Sequence, residues 1–225
     1  MRKLSVTAVI PTKNEDKTIG EVIDGAKKFC DNVIVVDGHS SDDTRKIAEK
    51  HGAHVFLDPT KGKGLALRYA SKYVTTDIIV FLDADGSHET KDIPLLIKPL
   101  QEDKADLVVA SRMLGGSDEL HGDFSNFMRL VGTSLIALAI NYRWNVRLTD
   151  VENGFRAIRR DVFSSLHLRS KSFDIEEEIV MKCLRSGFRV AEVPSHEYRR
   201  KYGISGISLI KSGHKFIWRL FVNLF

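Results

Sequence analysis

Two carboxylates, Asp83 and Asp85, close the apolar run Ile78-Ile79-Val80-Phe81-Leu82 and are followed by Gly86, Ser87 and His88. An apolar run of that length, rich in β-branched residues, reads as a strand buried on both faces. If the backbone stays extended past Leu82, residues 83 and 85 point to the same side. Neighbouring carboxylates repel each other and call for a cation. Few, hard oxygen ligands suit Mg2+ or Mn2+, with diphosphate oxygens and water filling the remaining positions. Taken alone, the same residues also make an ordinary turn, because Asp and Gly are common there.

Other polar clusters stand where strands end. Val6 to Ile10 reads as a first strand stopped by Pro11, then Thr12-Lys13-Asn14-Glu15. Asn32 to Val36 is a second strand ending in Asp37-Gly38-His39, and Leu107 to Ala110 another ending in Ser111-Arg112. Helices are expected between them. One reaches about Phe29 with Ile19, Val22, Ile23 and Ala26 at helical spacing. Another is capped by Ser40-Ser41-Asp42-Asp43 and runs to His51-Gly52, and a further one spans Ile93 to Gln101. A short strand, Val55-Phe56-Leu57, precedes Lys61-Gly62-Lys63-Gly64, where a helix N-terminus can cradle phosphate or simply form a flexible loop. Strands alternating with helices predict a parallel sheet with right-handed crossovers and a ligand at the carboxyl edge of the strands. Asn14, Glu15, Asp37, Asp83, Asp85 and Arg112 should then converge. The glycine fingerprint of dinucleotide binders and the P-loop are both missing from the sequence.

The chain has 225 residues, 43% hydrophobic and 28% charged, which fits one large α/β domain or a domain with an elaboration. A net charge of +4 and a pI near 9.0 admit an anionic partner. The cations are spread along the chain without interleaved aromatics or a DNA-reading motif, so nucleic acid is not an expected partner. Cys30 and Cys183 lie outside any metal-type spacing and read as free thiols. Met1-Arg2-Lys3 leads straight into a strand, with no secretory signal. No apolar run reaches the about 18–20 residues of a spanning helix. Leu130 to Ile140 comes nearest and contains Gly132, Thr133 and Ser134. From Ile207 on, Ile207, Ile210, Ile217, Leu220, Phe221 and Leu224 fall on one side at helical spacing. Lys211, Lys215 and Arg219 fall opposite, with Trp218 near the boundary. Such a basic amphipathic helix lies in the headgroup plane with its cations toward anionic lipid. The alternative is a helix packed on the sheet domain.

Six motifs in order carry a resemblance. They are Ile10-Pro11-Thr12-Lys13-Asn14-Glu15, Val35-Val36-Asp37-Gly38-His39-Ser40-Ser41-Asp42-Asp43-Thr44, Asp83-Ala84-Asp85-Gly86-Ser87-His88, Ala110-Ser111-Arg112, Thr149-Asp150-Val151-Glu152-Asn153-Gly154-Phe155-Arg156 and Arg200-Lys201-Tyr202-Gly203-Ile204-Ser205. Over nearly all its length the chain resembles family-2 glycosyltransferases, and within them dolichyl-phosphate mannose synthases. The resemblance implies an α/β nucleotide-sugar-binding Rossmann-like (GT-A type) fold, a central mostly parallel sheet flanked by helices. Residues 1–203 would form the catalytic domain and 204–225 a C-terminal amphipathic helix.

The implied reaction is inverting transfer of a hexose from a nucleotide sugar, GDP-mannose first, to a polyprenyl (dolichyl) phosphate. UDP-glucose, a UDP-N-acetylhexosamine or a soluble acceptor are the alternatives. A polymerising enzyme is disfavoured because Ile140 stands where a Gln would precede Arg143-Trp144 by three residues. By resemblance Pro11, Lys13, Glu15, Asp37, Lys63, Asp83, Ala84, Asp85 and Arg112 bind the donor. Asp83 and Asp85, the latter most directly, hold Mg2+ or Mn2+. Arg112, Arg156, Arg200 and Ser205 hold the acceptor phosphate, and Asp85, Arg112, Asp150 and Arg200 carry catalysis. One of Asp174 and Glu176 faces the acceptor, while His88 either supports the metal carboxylates or is a plain loop residue.

A phosphate monoester, with a second pKa of about 6, is largely dianionic at neutral pH. It therefore needs cations more than a general base, and guanidinium grips phosphate with paired hydrogen bonds. Gly38, Met113 and Gly206 depart from the family pattern and bear on the choice of base and sugar. The implied setting is the cytoplasmic face of a membrane, with peripheral attachment and a possible membrane-protein partner or homo-oligomer.

Overall fold

A computed structural model describes residues 3–59, 62–119, 124–202 and 209–224. The seven strands are β1 (Val6–Thr12), β2 (Asn32–Asp37), β3 (His54–Leu57), β4 (Ile78–Phe81), β5 (Leu107–Ser111), β6 (Arg156–Arg159) and β7 (Val190–Pro194). They form one sheet in the order β3-β2-β1-β4-β6-β5-β7. β6 runs antiparallel to β4 and β5, and every other pairing is parallel. The helices are α1 (Ile19–Ala26), α2 (Thr44–Lys50), α3 (Lys63–Ala70), α4 (Ile93–Gln101), α5 (Arg112–Gly115), α6 (Phe124–Trp144), α7 (Arg160–Ser165), α8 (Ile175–Arg185) and α9 (Leu209–Leu224).

The central strands are apolar along their whole length because both faces are covered. Val9, Ile34, Ile79, Phe81 and Val109 pack with Leu67 of α3, Ile140 of α6 and Ile179 of α8. The alternate residues Ala8, Ile10, Val33, Val35, Ile78 and Val80 pack with Ile19 and Ile23 of α1 and Leu96 of α4. The period of two along each strand divides one apolar run between two cores.

Because β1, β2, β4 and β5 run the same way, their carboxyl ends share one edge, as the alternation predicts. The reversed β6 delivers its amino end to that edge, so residues 145–155 arrive there. The carboxyl end of β7 adds residues 195–202. The strand expected to carry Asp83, β4, ends at Phe81, and the chain turns through Ala84 to Gly86, whose φ is +76°. This corrects the extended geometry expected for Asp83 and Asp85: a turn, not a strand, sets their directions.

α9 packs on α6 and α8. Phe216 and Leu220 join the core cluster, and Arg143 Nε donates to the Leu224 carbonyl at 3.0 Å. Arg219, expected to face lipid, turns inward: it is 14% exposed and lies 2.8 Å from Asp174 and 3.4 Å from Glu178. Buried carboxylates in the first turn of α8 need a counter-cation more than the solvent face does. Ser205 and Ile207 lie outside the described residues, as do the side chains of Ile210, Lys211 and Lys215. Among the described residues no helix is long and apolar enough to cross a membrane. Cys30 and Cys183 are free and buried.

Candidate active site

Lys63 opens α3 at the carboxyl edge. A Cβ on Gly64 would stand 2.7 Å from the Ser170 carbonyl oxygen, so bare backbone lets this helix end press against residues 170–171. Lys63 Nζ lies 2.6 Å from Asp83 Oδ1 and 2.9 Å from Glu176 Oε1. Burial would raise the Asp83 carboxyl, but Lys63, with His88 and Arg200 adding to it, holds it down at about 2. Burial would likewise lower the Lys63 ammonium, and Asp83 and Glu176 hold it above its usual range instead.

Arg200 makes the second bridge, 3.0 Å from Glu15 Oε1 and 2.7 Å from Asp85 Oδ2. It ties the end of β1 to the turn after β4. The other Asp85 oxygen accepts from the Ser87 N–H at 3.0 Å and the Ser87 hydroxyl at 2.7 Å. His88 Nδ1 accepts from the Asp83 N–H at 3.2 Å, and its ring stacks on Phe155. It therefore braces the main chain of the turn.

Arg112 is buried, and its fork closes on Asp150, with Nε 2.6 Å from Oδ2 and a terminal nitrogen 3.0 Å from Oδ1. Its other terminal nitrogen lies 3.4 Å from Glu197 Oε1. Asp150 is fully buried and also accepts from the N–H groups of Glu152 and Asn153, so it organises the 149–155 loop. Arg156 is 1% exposed and donates to the main-chain carbonyls of Val151, Asn153 and Glu176. The structure does not bring it to the cavity where an acceptor phosphate would sit.

A cavity of about 390 Å³ lies at this edge. Its polar end is formed by Lys63, Asp83, Asp85, Arg112 and Arg200, and its apolar wall by Leu135, Ile136, Phe173, Phe216, Ile217 and Leu220. Glu152 also lines it, accepting from the Thr133 hydroxyl at 2.6 Å, and burial raises its carboxyl. Burial raises the Glu15 carboxyl as well, despite Arg200.

Pro11, Lys13 and Asp37 stand apart from the cavity lining, at the ends of β1 and β2. Pro11 is half-buried and Lys13 exposed. Asp37 is fully buried: Oδ2 accepts from the Ser40 N–H at 2.9 Å, and Oδ1 has no partner. An unpartnered buried carboxylate oxygen is costly and fits a donor such as a ring N–H of a nucleoside base. Ala84 is buried in the turn. Asn14, expected to converge with the acids, instead accepts from the Ser41 N–H at 2.8 Å and staples the β1 loop to the β2 loop.

Sequence reasoning missed Glu197, which takes the Ser117 hydroxyl and faces Arg112, and it quoted Glu152 only within a motif. Finding Glu197 required recognising β7, whose short Val-Ala-Glu-Val-Pro carries little apolar signal. Among the described residues no three His, Cys, Asp or Glu side chains gather as a metal cage. The hard oxygens of Asp83 and Asp85 fit Mg2+ or Mn2+ when a bound diphosphate supplies further ligands.

Comparisons with known proteins agree with this geometry. The chain is 34% identical over 201 residues to glycosyltransferase AglJ of Haloferax volcanii, covering 88% of this chain and 65% of AglJ, less than two thirds of that relative. It is 31% identical over 225 residues to the undecaprenyl-phosphate mannosyltransferase of Micrococcus luteus, covering 91% of this chain and 88% of that protein. The glucosyl-3-phosphoglycerate synthase of Mycobacterium tuberculosis, solved with Mn2+, uridine diphosphate and phosphoglyceric acid, superposes with a TM-score of 0.78. The identity is 21%, with 98% of this chain and 78% of that one covered, a likeness of GT-A fold. The family model of glycosyl transferase family 2 matches residues 7–166, and the chain belongs to that family of glycosyltransferases.

Proposed function

We propose that this protein transfers a hexose, with inversion, from a nucleotide sugar, GDP-mannose first, to a polyprenyl (dolichyl) phosphate at a membrane surface. The observation that carries this reading is the two-ended cavity. Lys63, Asp83, Asp85 and Arg200 line one end, and apolar residues of α6 and α9 line the other. The apolar wall continues into exposed residues of both helices: Leu135 and Leu138 are 60% and 64% exposed, Ile217 and Trp218 68% and 65%. Exposed apolar side chains on two adjoining helices, beside a phosphate-sized cluster of charges, suit an acceptor with a charged head and an apolar chain. Residues 204–225 then serve as a docking element. The likeness to an undecaprenyl-phosphate mannosyltransferase supports the same class.

In this reading Asp83 and Asp85 would hold Mg2+ or Mn2+ beside the donor diphosphate. When bound, the metal offsets charge on the departing nucleoside diphosphate. Asp37 accepts from the base at the end of β2, and Glu15 fixes Arg200 beside the turn. The dianionic acceptor attacks the anomeric carbon without a general base. Arg200, whose guanidinium has donors enough to bridge donor and acceptor phosphates, steadies its phosphate, and Arg112 adds a weaker contact because its fork is spent on Asp150 and its other terminal nitrogen faces Glu197. The test is a panel of radiolabelled nucleotide sugars with a short polyprenyl phosphate. Label extracted into organic solvent with one donor is expected, GDP-mannose before the UDP-sugars. Label confined to water-soluble product with every donor contradicts the lipid acceptor.

A further inference from the structure

Four carboxylates, three lining the polar end of the cavity and Glu15 beside it, are held by two cations, and each cation spans two of them. Lys63 bridges Asp83 and Glu176, and Arg200 bridges Glu15 and Asp85. The Asp85 oxygen not facing Arg200 already takes two hydrogen bonds from Ser87. The Asp85 oxygen left for a metal is therefore the one Arg200 covers, while Lys63 covers one of the two Asp83 oxygens. The Lys63 pair also rests on bare backbone: a Cβ on Gly154 would stand 2.8 Å from Lys63 Nζ and 2.9 Å from Asp83 Oδ2. Lys63 and Arg200 come from separate elements, α3 and the segment after β7.

We propose that Lys63 and Arg200 are exchangeable counter-cations, which pair with Asp83 and Asp85 and pass to donor phosphate oxygens when a divalent metal and a nucleotide bind together. This rests on the metal-bound nucleotide-sugar part of the proposed function and not on the lipid acceptor. An ammonium or guanidinium in front of a carboxylate oxygen repels a divalent ion approaching that oxygen. A metal binding alone must draw each cation off its aspartate, leaving it Glu176 or Glu15 but no new anion in exchange. A metal arriving with a diphosphate brings that anion, so the two ligands bind cooperatively. By linkage, each raises the affinity of the other by the same factor.

The test is Mn2+ affinity, read from the electron paramagnetic resonance of free Mn2+, with and without UDP or GDP. The parent is expected to bind Mn2+ weakly alone and much more tightly with a nucleotide. Lys63→Met and, separately, Arg200→Gln should tighten nucleotide-free Mn2+ binding by about tenfold or more. They should also shrink the enhancement that the nucleotide gives. Arg200 is part-exposed, so its variant keeps the test alive if loss of the more buried Lys63 unfolds the chain. Variants that bind Mn2+ no tighter than the parent overturn the proposal and leave the pairs a structural role. A parent that binds no Mn2+ with either nucleotide overturns it together with the metal-bound donor, whereas the lipid acceptor is judged separately by extraction of product.

Discussion

Arg156 places a guanidinium where water does not reach, and its donors go to main-chain oxygens of Val151, Asn153 and Glu176. It thereby ties the 149–155 loop to the start of α8, where Glu176 meets Lys63. Arg156→Lys keeps the charge and loses the fork, leaving buried carbonyls unpaired. We expect the urea midpoint to fall by an equivalent of about 2–4 kcal/mol. Unchanged stability with a loss of activity only at limiting acceptor would restore the phosphate role that the motif suggested. The motif placed an arginine near the site, but the direction of its side chain depends on which carbonyls the fold leaves unpaired, and no local pattern encodes that.

Glu177 is a second such residue. It is fully buried, both carboxylate oxygens lack partners, and burial with Glu152, Asp174 and Glu176 nearby raises its carboxyl from an ordinary 4.5 to about 10, Arg219 opposing. A carboxyl with a raised folded pKa contributes stability that is fully present below its unfolded value and lost as pH rises toward the folded one. Stability should therefore decline between about pH 5 and about pH 9, by on the order of 1 kcal/mol per pH unit from this group. Glu177→Gln should remove that component, with urea unfolding at several pH values as the measurement. An identical slope in parent and variant would mean that Glu177 is ionised in the folded protein.

At the scale of elements, β1 to β5 were legible because each is an apolar run with its punctuation, whereas the parallel β7, with Glu192 in its middle, was not. β6 was not: Arg-Ala-Ile-Arg is short and flanked by charge, and it is a strand because β4 and β5 both pair with it. The amphipathic stripe of α9 was legible as a helix, but its partners were not. Phe216 and Leu220 pack inward and Arg219 answers the acids of α8, while Ile217 and Trp218 stay exposed. Removing the whole helix would therefore cost stability and confuse any membrane assay. Leu138→Glu with Trp218→Glu touches only exposed side chains, one on each helix. We expect the double variant to keep its thermal midpoint within about 2 °C. Sedimentation with anionic liposomes should weaken by roughly a hundredfold. Undiminished sedimentation would show that these helix faces do not meet lipid.

For the whole molecule, one sheet edge gathers the ends of β1, β2, β4 and β5, the loop before β6 and the segment after β7. Polar groups from the start of α3, the ends of β4 and β5, the loop before β6 and the segment after β7 meet an apolar wall from α6 and α9 in one cavity, with the ends of β1 and β2 beside it. The polar half could be read from residues that follow strands; the apolar half could not, because Leu135 and Ile217 lie 82 positions apart and join only through packing of α6 on α9. In the proposed reaction the acceptor uses both halves, its phosphate at one end and its chain at the other. The most direct measurement is kcat/KM, at saturating donor and Mn2+, for farnesyl phosphate, isopentenyl phosphate and farnesol. We predict that farnesyl phosphate exceeds isopentenyl phosphate by roughly a hundredfold or more, from the extra apolar surface buried. Farnesol, lacking the dianion, should give no product. Equal values for the two phosphates, or turnover of farnesol, would contradict the account.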